Sequence, residues 1–324
     1  MTRFVLFIAL VFAITPVATA DPLPSWNDGA SKTRIMDFVA SVTDPAKETY
    51  VTPAGRIAVF DNDGTLWAEK PVYFQLIYAM DWVREKGAAD PAFLKTDALK
   101  AAAAGDIKKL MAGGEKALLE VVAVSHSNIS VADFEDSVRT WLATARHPRF
   151  DKPYDALVYQ PMLELLRYLR DVGFSTYIVS GGGVHFMRAF TDTAYNIPAE
   201  NVIGSRVATK YEIVEGVAEI MKLPEIDFIN DKAGKPVGID SKIGKRPILA
   251  VGNSDGDFQM LQWTTSGEGP RLGMLVHHTD AEREWAYDRD SHVGQLVKGL
   301  DEGPKLGWQI IDMKTEWAKV FPFD

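Results

Sequence analysis

The fold of this chain is decided by the stretch Arg-Ile-Ala-Val-Phe-Asp-Asn-Asp-Gly-Thr at positions 56–65. Ile57 to Phe60 form a short apolar run without alternation, which is typical of a strand buried on both faces of a parallel sheet. Asp61 and Asp63 follow at once, so two carboxylates stand at the end of a strand where open α/β sheets bind ligands. They repel each other unless a cation or a reaction uses them. A turn that merely closes the strand is the plainer alternative.

The first twenty residues have the layout of a secretory signal peptide. Arg3 supplies a positive start, Phe4–Ile14 are apolar, and Ala18–Ala20 offer small residues for cleavage. The apolar stretch is too short to remain as a permanent membrane anchor. We therefore expect residues 1–20 to be removed and the protein to be exported, periplasmic or secreted, without stable insertion in a membrane.

The composition excludes several kinds of chemistry and of partner. The 324 residues carry 35 Lys and Arg against 44 Asp and Glu, a formal net charge of −9, and have no blocks of basic residues, which argues against nucleic acid. Cysteine is absent from the sequence, which excludes thiol catalysis, disulfides and thiolate metal sites and suits an oxidising compartment. Any metal must bind through oxygen or imidazole. Neither charge nor motif predicts an oligomeric state.

Residues 66–146 have the pattern of a small all-helical domain. Apolar residues return every three or four positions around 72–83 and 131–145, and Gly105 and Gly113 separate the segments. This block interrupts an α/β pattern, so we predict a core domain made of residues 21–65 and 147–324 with a helical cap inserted at 66–146.

After residue 147 the chain alternates between strand and helix periods, which predicts a mostly parallel sheet wound right-handedly. A helix is also predicted in the leader, over residues 33–42. The strands beyond 147 are expected at 174–179, 202–203, 248–251 and 272–276, with a β excursion at 206–217 and 226–229. The helices are expected at 162–169, 185–190, 236–243 and 258–263.

Two further strand ends carry polar residues suited to phosphate and a divalent ion. Ser180 is followed by three glycines, so that a hydroxyl and the bare amides from Gly181 onward can cradle an anion. Residues 252–257, Gly-Asn-Ser-Asp-Gly-Asp, form a second dense oxygen cluster of the kind that suits Mg²⁺. Lys235 precedes a proline and a predicted helix start, from which its ammonium can reach the same crevice. Each signal alone fits a turn, a cap or a solvated charge; their order along the chain favours one site.

At these four places the chain resembles the haloacid dehalogenase superfamily in its phosphatase branch, and the phosphoserine-phosphatase-like group in particular. The resemblance covers residues 57–65, 175–190, 234–240 and 248–261. It implies a Rossmann-like core with a helical cap inserted directly after the first motif, which is where residues 66–146 lie.

The resemblance also implies roles for the motif residues. Asp61 is expected to be the nucleophile and Asp63 the general acid and base. The transferring phosphoryl group is expected to be bound by three residues, Thr65, Ser180 and Lys235. Mg²⁺ is expected to be held by four residues, Asp61, Asp63 through its carbonyl, Asn253 and Asp257. Many relatives have an aspartate where Asn253 stands, which leaves open whether Asn253 or Asp255 completes the metal site.

These roles predict a Mg²⁺-dependent phosphomonoesterase that cleaves a small phosphorylated metabolite through an aspartyl-phosphate. Asp63 favours phosphate-ester hydrolysis over halide release, because an alkoxide leaving group needs a proton and a halide does not. Two alternatives remain. A phosphotransferase or phosphomutase shares Asp61 and Asp63 but keeps water from the intermediate, and an exported binding protein retains the cleft without turnover.

Three residues close behind the first motif are candidates for contact with the leaving group: Trp67, Glu69 and Tyr73. Their position predicts that they face the cleft between core and cap, where an aromatic lining suits a cationic group. The alternative is ordinary packing for the two aromatic rings and a solvated surface position for Glu69.

Overall fold

The computed structural model describes residues 20–324, so the predicted signal peptide lies outside the described residues except for Ala20. Within the described part of the chain, no helix is both long enough and apolar enough to span a bilayer.

Residues 20–324 contain one eight-stranded sheet. Its strands are Ile57–Phe60 (β1), Ser175–Gly183 (β2), Val202–Val214 (β3), Val217–Phe228 (β4), Leu249–Gly252 (β5), Leu272–Thr279 (β6), Ala286–Tyr287 (β7) and Gln309–Asp312 (β8). The order is β4-β3-β2-β1-β5-β6-β7, with β8 also paired to β6. The β1–β2, β1–β5, β2–β3, β5–β6 and β6–β8 pairs are parallel, whereas β3–β4 and β6–β7 are antiparallel.

Thirteen α-helices accompany this sheet in the described residues. They are Ala30–Thr43 (α1), Phe74–Ala89 (α2), Asp97–Ala103 (α3), Ile107–Ala112 (α4), Gly114–His126 (α5), Val131–Thr144 (α6), Gln160–Asp171 (α7), Val184–Arg188 (α8), Thr191–Tyr195 (α9), Gly234–Ile243 (α10), Phe258–Thr265 (α11), Lys298–Glu302 (α12) and Met313–Glu316 (α13). A mostly parallel sheet flanked by helices confirms the predicted fold class.

The helices α2–α6 lie between β1 and β2 in the chain, within the segment predicted to be a cap. Apolar side chains of α2–α5 form a cluster of buried residues with members such as Leu76, Met80, Leu99 and Val121, whereas the buried side chains of α6, Phe134 among them, pack into the main cluster around the sheet. A segment that buries its own apolar side chains is stabilised largely by internal contacts.

Strand β1 lies at the centre of the sheet, and its four residues are all buried, as the unbroken apolar run predicts. Phe60 is level with Ile178 of β2 and with Val251 of β5. The next position along β1 is Asp61. The parallel register therefore brings Asp61 to the same edge as the chain segments that follow Ile178 and Val251.

The region from Val202 to Phe228 differs from its prediction. The expected short strand at 202–203 and the β excursion join into β3, which with β4 makes a long antiparallel hairpin. The hairpin reaches the helical segment: Asn128 N–H donates to Lys222 O at 2.8 Å, and Lys222 N–H donates to Ile129 O at 2.9 Å. The two sequence signals are one element because β3 continues past its pairing with β2, with β4 as its partner.

Candidate active site

A buried lysine joins two aspartates at the carboxyl edge of the sheet. Lys235 Nζ donates to Asp61 Oδ1 at 2.6 Å and to Asp257 Oδ1 at 2.5 Å. Lys235 lies in the first turn of α10, which begins at Gly234, two residues before the predicted start. Burial lowers the pKa of Lys235, but the charges of Asp257 and Asp61 outweigh that effect and raise it above its ordinary value. The amine is therefore a fixed positive charge.

Asp61 is a buried carboxyl group with a raised pKa and one oxygen that is free of hydrogen bonds. Burial raises the pKa of Asp61 well above its ordinary value, the charge of Asp257 adds to that effect, and the charge of Lys235 opposes it. Its second oxygen, Oδ2, makes no hydrogen bond with the described residues, and Asp61 lines a cavity of about 530 Å³. A further positive charge at this oxygen would favour the ionised carboxylate that a nucleophile needs.

Asp63 lines the same cavity and is held by Trp67, whose Nε1–H donates to Asp63 Oδ1 at 2.9 Å. Burial raises the pKa of Asp63, and the Trp67 hydrogen bond opposes part of that effect. A raised pKa keeps a protonated carboxylic acid available for donation to a leaving group. Trp67 was predicted to face the cleft, but it is fully buried and stacks on Phe190 with ring centroids 4.5 Å apart. Its contact with Asp63 makes it a positioning residue.

Ser180 and its glycines form the next part of this edge. The Gly182 N–H donates to Ser180 Oγ at 3.0 Å, and the strand β2 extends through these glycines instead of ending before them. A Cβ atom built on Gly182 would lie 3.3 Å from Ser180 Oγ and 3.6 Å from Asp63 Oδ2. Ser180 and Gly181 line the cavity with Asp61, so the glycine run leaves open the space between hydroxyl and carboxylates where a phosphoryl group fits.

Asn253 is held from two sides. Its Nδ2 donates to Glu69 Oε1 at 2.7 Å, and Thr65 Oγ1 lies 3.3 Å from its Oδ1. Thr65 was predicted to bind the phosphoryl group, but it is fully buried and lies outside the cavity lining, with its hydroxyl directed to Asn253. Gly64 makes this packing possible: its φ is +73°, and a Cβ there would lie 2.0 Å from Asn253 Nδ2.

The two aspartates of the 252–257 cluster have structural contacts. Asp257 Oδ1 accepts from Lys235, and its Oδ2 accepts from the main-chain N–H of Asn253 at 3.0 Å and of Ser254 at 3.1 Å. Asp255 accepts the main-chain N–H groups of residues 297–299 at 2.9–3.1 Å. Both predicted metal roles conflict with these contacts, because the oxygens already serve donors of the protein. Asp257 instead positions Lys235 and the loop, and Asp255 anchors the chain before α12.

The remaining donors near Asp61 are compatible with a hard cation. Among residues 20–324, no three His, Asp or Glu side chains are grouped as a metal site. Mg²⁺ does not require such a group, because it keeps several waters and binds through one or two carboxylates together with substrate phosphate. Asp61 Oδ2, which is free of hydrogen bonds with the described residues, matches this requirement, and the amide oxygen of Asn253 is a second oxygen donor that also accepts from Thr65 at 3.3 Å.

Glu69 is a buried carboxylate in the cavity wall. Besides Asn253, it accepts from Tyr287 Oη at 2.7 Å. Burial raises the pKa of Glu69 to about 7, and His278 and Tyr287 oppose that effect. Tyr73 also lines the cavity and is 41% exposed. Glu69 and Tyr73 therefore lie at the cleft, as their position in the sequence predicts.

The cavity is closed over the sheet edge by a roof, which we define as its lining residues from α5 and the β3–β4 hairpin. The members of the roof are Leu118, Leu119, Val122, His126, Ser205, Arg206, Val207, Lys222 and Ile226. Most of these side chains are apolar. Volumes of this size and apolar walls with a few polar groups are typical of small-molecule sites.

A chain of hydrogen bonds joins the roof to the sheet edge. Gly183 N–H donates to Gln75 Oε1 at 2.7 Å, which directs Gln75 Nε2 to His126 Nε2 at 2.9 Å. His126 Nδ1 lies 2.8 Å from Ser125 Oγ, which donates to Val121 O. Burial, assisted by the charge of Lys222, lowers the pKa of His126 to about 3, so the ring is neutral and accepts from Gln75. Sequence reasoning missed this chain.

Asp231 is a second residue that the motifs did not indicate. It lines the cavity, and a Cβ atom built on Gly256 would lie 2.8 Å from its Oδ1. It therefore stands between the β5 loop and the glycine run after Ser180. The available signal was an acidic residue four positions before Lys235 in the segment that leads into α10.

A carboxylate pair and a buried lysine lie at the carboxyl edge of a Rossmann-like sheet, where open α/β proteins bind their ligands. The model of the haloacid dehalogenase-like hydrolase family matches residues 58–262. The chain belongs to that family.

Solved structures of other proteins are similar to this chain at low sequence identity. A conserved protein of unknown function from Anaerococcus prevotii is 19% identical, covers 77% of this chain and 86% of its own, and has a TM-score of 0.52. A protein of unknown function from Bordetella pertussis is 18% identical over 80% of this chain and 98% of its own, with a TM-score of 0.46. A phosphoserine phosphohydrolase-like protein from Francisella tularensis is 19% identical over 68% and 87%, with a TM-score of 0.37. A search of curated protein sequences finds no match.

Proposed function

We propose that this protein is a Mg²⁺-dependent phosphomonoesterase that hydrolyses a small phosphorylated metabolite. The observation that carries the proposal is one cavity lined by Asp61, Asp63, Ser180 and Lys235 together. Membership of a hydrolase family is consistent with it. A binding protein for phosphate would not benefit from two buried carboxylates beside the ligand, because they repel an anion.

In this proposal the side chains divide the reaction into two displacements. The carboxylate of Asp61 attacks phosphorus, an aspartyl-phosphate bond forms, and the bond from phosphorus to the ester oxygen breaks while Asp63 gives that oxygen a proton. Asp63 then takes a proton from water, which attacks the aspartyl-phosphate and releases inorganic phosphate. Lys235 and Ser180 offset and orient the negative charge of the phosphoryl group throughout.

Mg²⁺ bound near Asp61 would supply positive charge against the repulsion between carboxylate and phosphate. The residues proposed to hold it are Asp61 through Oδ2, the main-chain carbonyl of Asp63, and Asn253. Glu69 holds the Asn253 amide through Nδ2, and the amide oxygen, which accepts one long hydrogen bond of 3.3 Å from Thr65, has a second lone pair for a cation. We further propose that the mature protein is exported after loss of residues 1–20.

The test is release of inorganic phosphate from a panel of small phosphomonoesters, with no added acceptor. We expect wild-type turnover that EDTA abolishes and Mg²⁺ restores. Asp61→Asn should reduce kcat by at least about 10³-fold, because it removes the nucleophile. Asp240→Asn, the same change at an exposed position of α10, is the matched control and should behave as wild type.

Each alternative has its own signature in this assay. Full activity in EDTA would remove the metal from the mechanism, and an active Asp61→Asn protein would remove the nucleophile. Turnover that appears only when an alcohol or sugar acceptor is supplied would identify a phosphotransferase. Tight binding of phosphomonoesters without turnover would identify a binding protein.

A further inference from the structure

Lys222 is a buried lysine of the cavity that has no carboxylate partner. It is only 3% exposed, yet no carboxylate of the described residues lies within 4.0 Å of its Nζ. Its contacts are His185 Nδ1 at 3.1 Å and the Phe134 ring, whose centroid is 4.1 Å away. A buried charge without an opposite charge is destabilising by several kcal/mol. A side chain kept in this state is suited to a negative group that arrives from outside.

The main chain holds Lys222 firmly at the junction of hairpin and helices. Its N–H and carbonyl pair with Ile129 O and Asn128 N at 2.9 and 2.8 Å, so two elements fix its position. Burial lowers the pKa of Lys222 to about 8, and the nearby charge of Glu135 opposes that effect. Glu135 itself pairs with Arg139 at 3.2 Å. The amine thus remains mostly protonated at neutral pH while its charge is uncompensated.

His185 supplies a second donor beside Lys222. Because Lys222 donates to Nδ1, the proton of the neutral ring is on Nε2. Burial, with the charge of Lys222, lowers the pKa of His185 to about 3, which keeps the ring neutral. His185 Nε2 makes no hydrogen bond with the described residues, and both side chains line the cavity. The pair therefore offers N–H donors that favour a negatively charged oxygen.

The wall beside this pair determines what kind of molecule reaches it. The roof is otherwise mainly apolar, with Leu118, Leu119 and Val122 on the helical side and Val207 and Ile226 on the hairpin side. Asp61 and Lys222 line the same cavity of about 530 Å³, which accommodates one small molecule. Ser205 and Arg206, which pairs with Asp227, also line this wall, but five of the roof side chains are apolar, so an apolar middle part is favoured in a ligand that touches both lysines.

We propose that Lys222 and His185 form a subsite for a second anionic group, so that the substrate is a phosphomonoester whose apolar leaving group ends in a carboxylate or a phosphate-like group. This inference rests on the proposed phosphatase function of the same cavity. Lys235 would serve the transferring phosphoryl group and Lys222 the distal anion.

The test compares three straight-chain alkyl phosphates of equal length, which end in a carboxylate, in a phosphonate or in a neutral primary amide. For wild type, we expect kcat/KM to be at least about tenfold higher for one of the anionic compounds than for the amide, mainly through KM, because a hydrogen bond to a charged group adds that much. In Lys222→Met the preference should fall to near one. Lys222→Arg, which keeps the charge, should retain a preference.

Lys210→Met is the matched control, because Lys210 lies on the same hairpin but is exposed and paired with Glu212 at 2.8 Å. It should keep the wild-type preference. Equal kcat/KM for the anionic and neutral compounds in wild type, or the same preference in Lys222→Met, would overturn the subsite and leave the phosphatase function intact.

A binding measurement separates this inference from the proposed function. Calorimetry uses alkyl phosphonates that cannot be hydrolysed and that end in a carboxylate or in an amide. Tighter binding of the carboxylate, lost in Lys222→Met, supports the subsite even if no phosphate is released from any substrate. Equal affinity for the two phosphonates overturns it even if the enzyme is an active phosphatase.

Discussion

Lys235 and Lys222 are both buried amines of one cavity, but they lie on different walls and have different partners. Lys235, at the sheet edge, contacts two carboxylates, whereas Lys222, in the roof, contacts a neutral imidazole and an aromatic ring. The buried lysine charge is thus paired with carboxylates of the protein at the sheet edge, and in the roof it is not. We infer from this difference that the sheet edge holds the groups proposed for the reaction, whereas the charge of Lys222 in the roof is available to pair with an anionic group of a ligand.

The sharpest way to break this comparison is to remove each charge in turn. Lys235→Met leaves Asp61 and Asp257 buried without their counter-charge, and we expect the free energy of unfolding to fall by about 3–5 kcal/mol. Lys222→Met replaces an uncompensated buried cation with an apolar chain of similar length, so stability should change by less than about 1 kcal/mol or increase. Urea unfolding without added metal or phosphate measures both changes. Equal losses in the two variants would contradict the comparison.

A smaller effect tests the link between the roof and the sheet edge. The pKa of His126 is about 3 in the folded protein and about 6.5 in an unfolded chain. The unfolded state therefore takes up the proton first as pH falls. The contribution of His126 to the free energy of unfolding is therefore present above about pH 6.5 and is lost toward pH 3. The loss between pH 7.5 and pH 5 is about 2 kcal/mol.

Replacement of His126 by Gln isolates this contribution, because Gln does not titrate. When the pH is lowered from 7.5 to 5, we expect wild type to lose about 2 kcal/mol more of its free energy of unfolding than His126→Gln loses. His185 has a similarly lowered pKa but is present in both proteins, so its contribution cancels. Identical pH dependence of the two proteins would show that His126 titrates freely in the fold and that the chain to Gln75 is not formed.

The sheet edge could be predicted from the sequence because its signals are local. An apolar run of four residues predicts β1, and the carboxylates that follow it must then lie at the strand's end. The position of Lys235 followed from a proline near a helix start, although α10 begins two residues earlier than expected. The pattern did not predict which group each oxygen contacts. Asp257 and Thr65 lie in the predicted motif segments, but their oxygens form hydrogen bonds with other residues of the protein and not with the cavity.

The roof could not be predicted because its contacts join distant parts of the chain. Gln75 contacts Gly183 across 108 residues and His126 across 51, and Lys222 contacts His185 across 37. No periodicity or motif relates these positions. Trp67 was assigned to the cleft because it follows the first motif. A tryptophan next to a carboxylate can equally be buried and donate a hydrogen bond to that carboxylate, as Trp67 does to Asp63.

The central claim is that Asp61 carries the phosphoryl group during turnover, and rapid acid quenching followed by peptide mass mapping tests it most directly. We expect protein quenched during hydrolysis of its best phosphomonoester to contain the peptide of Asp61 with about 80 Da of added mass, the mass of one phosphoryl group. The adduct should be absent from Asp61→Asn. Added mass on a different residue, or phosphate release with no phosphorylated peptide at any quench time, would contradict the account.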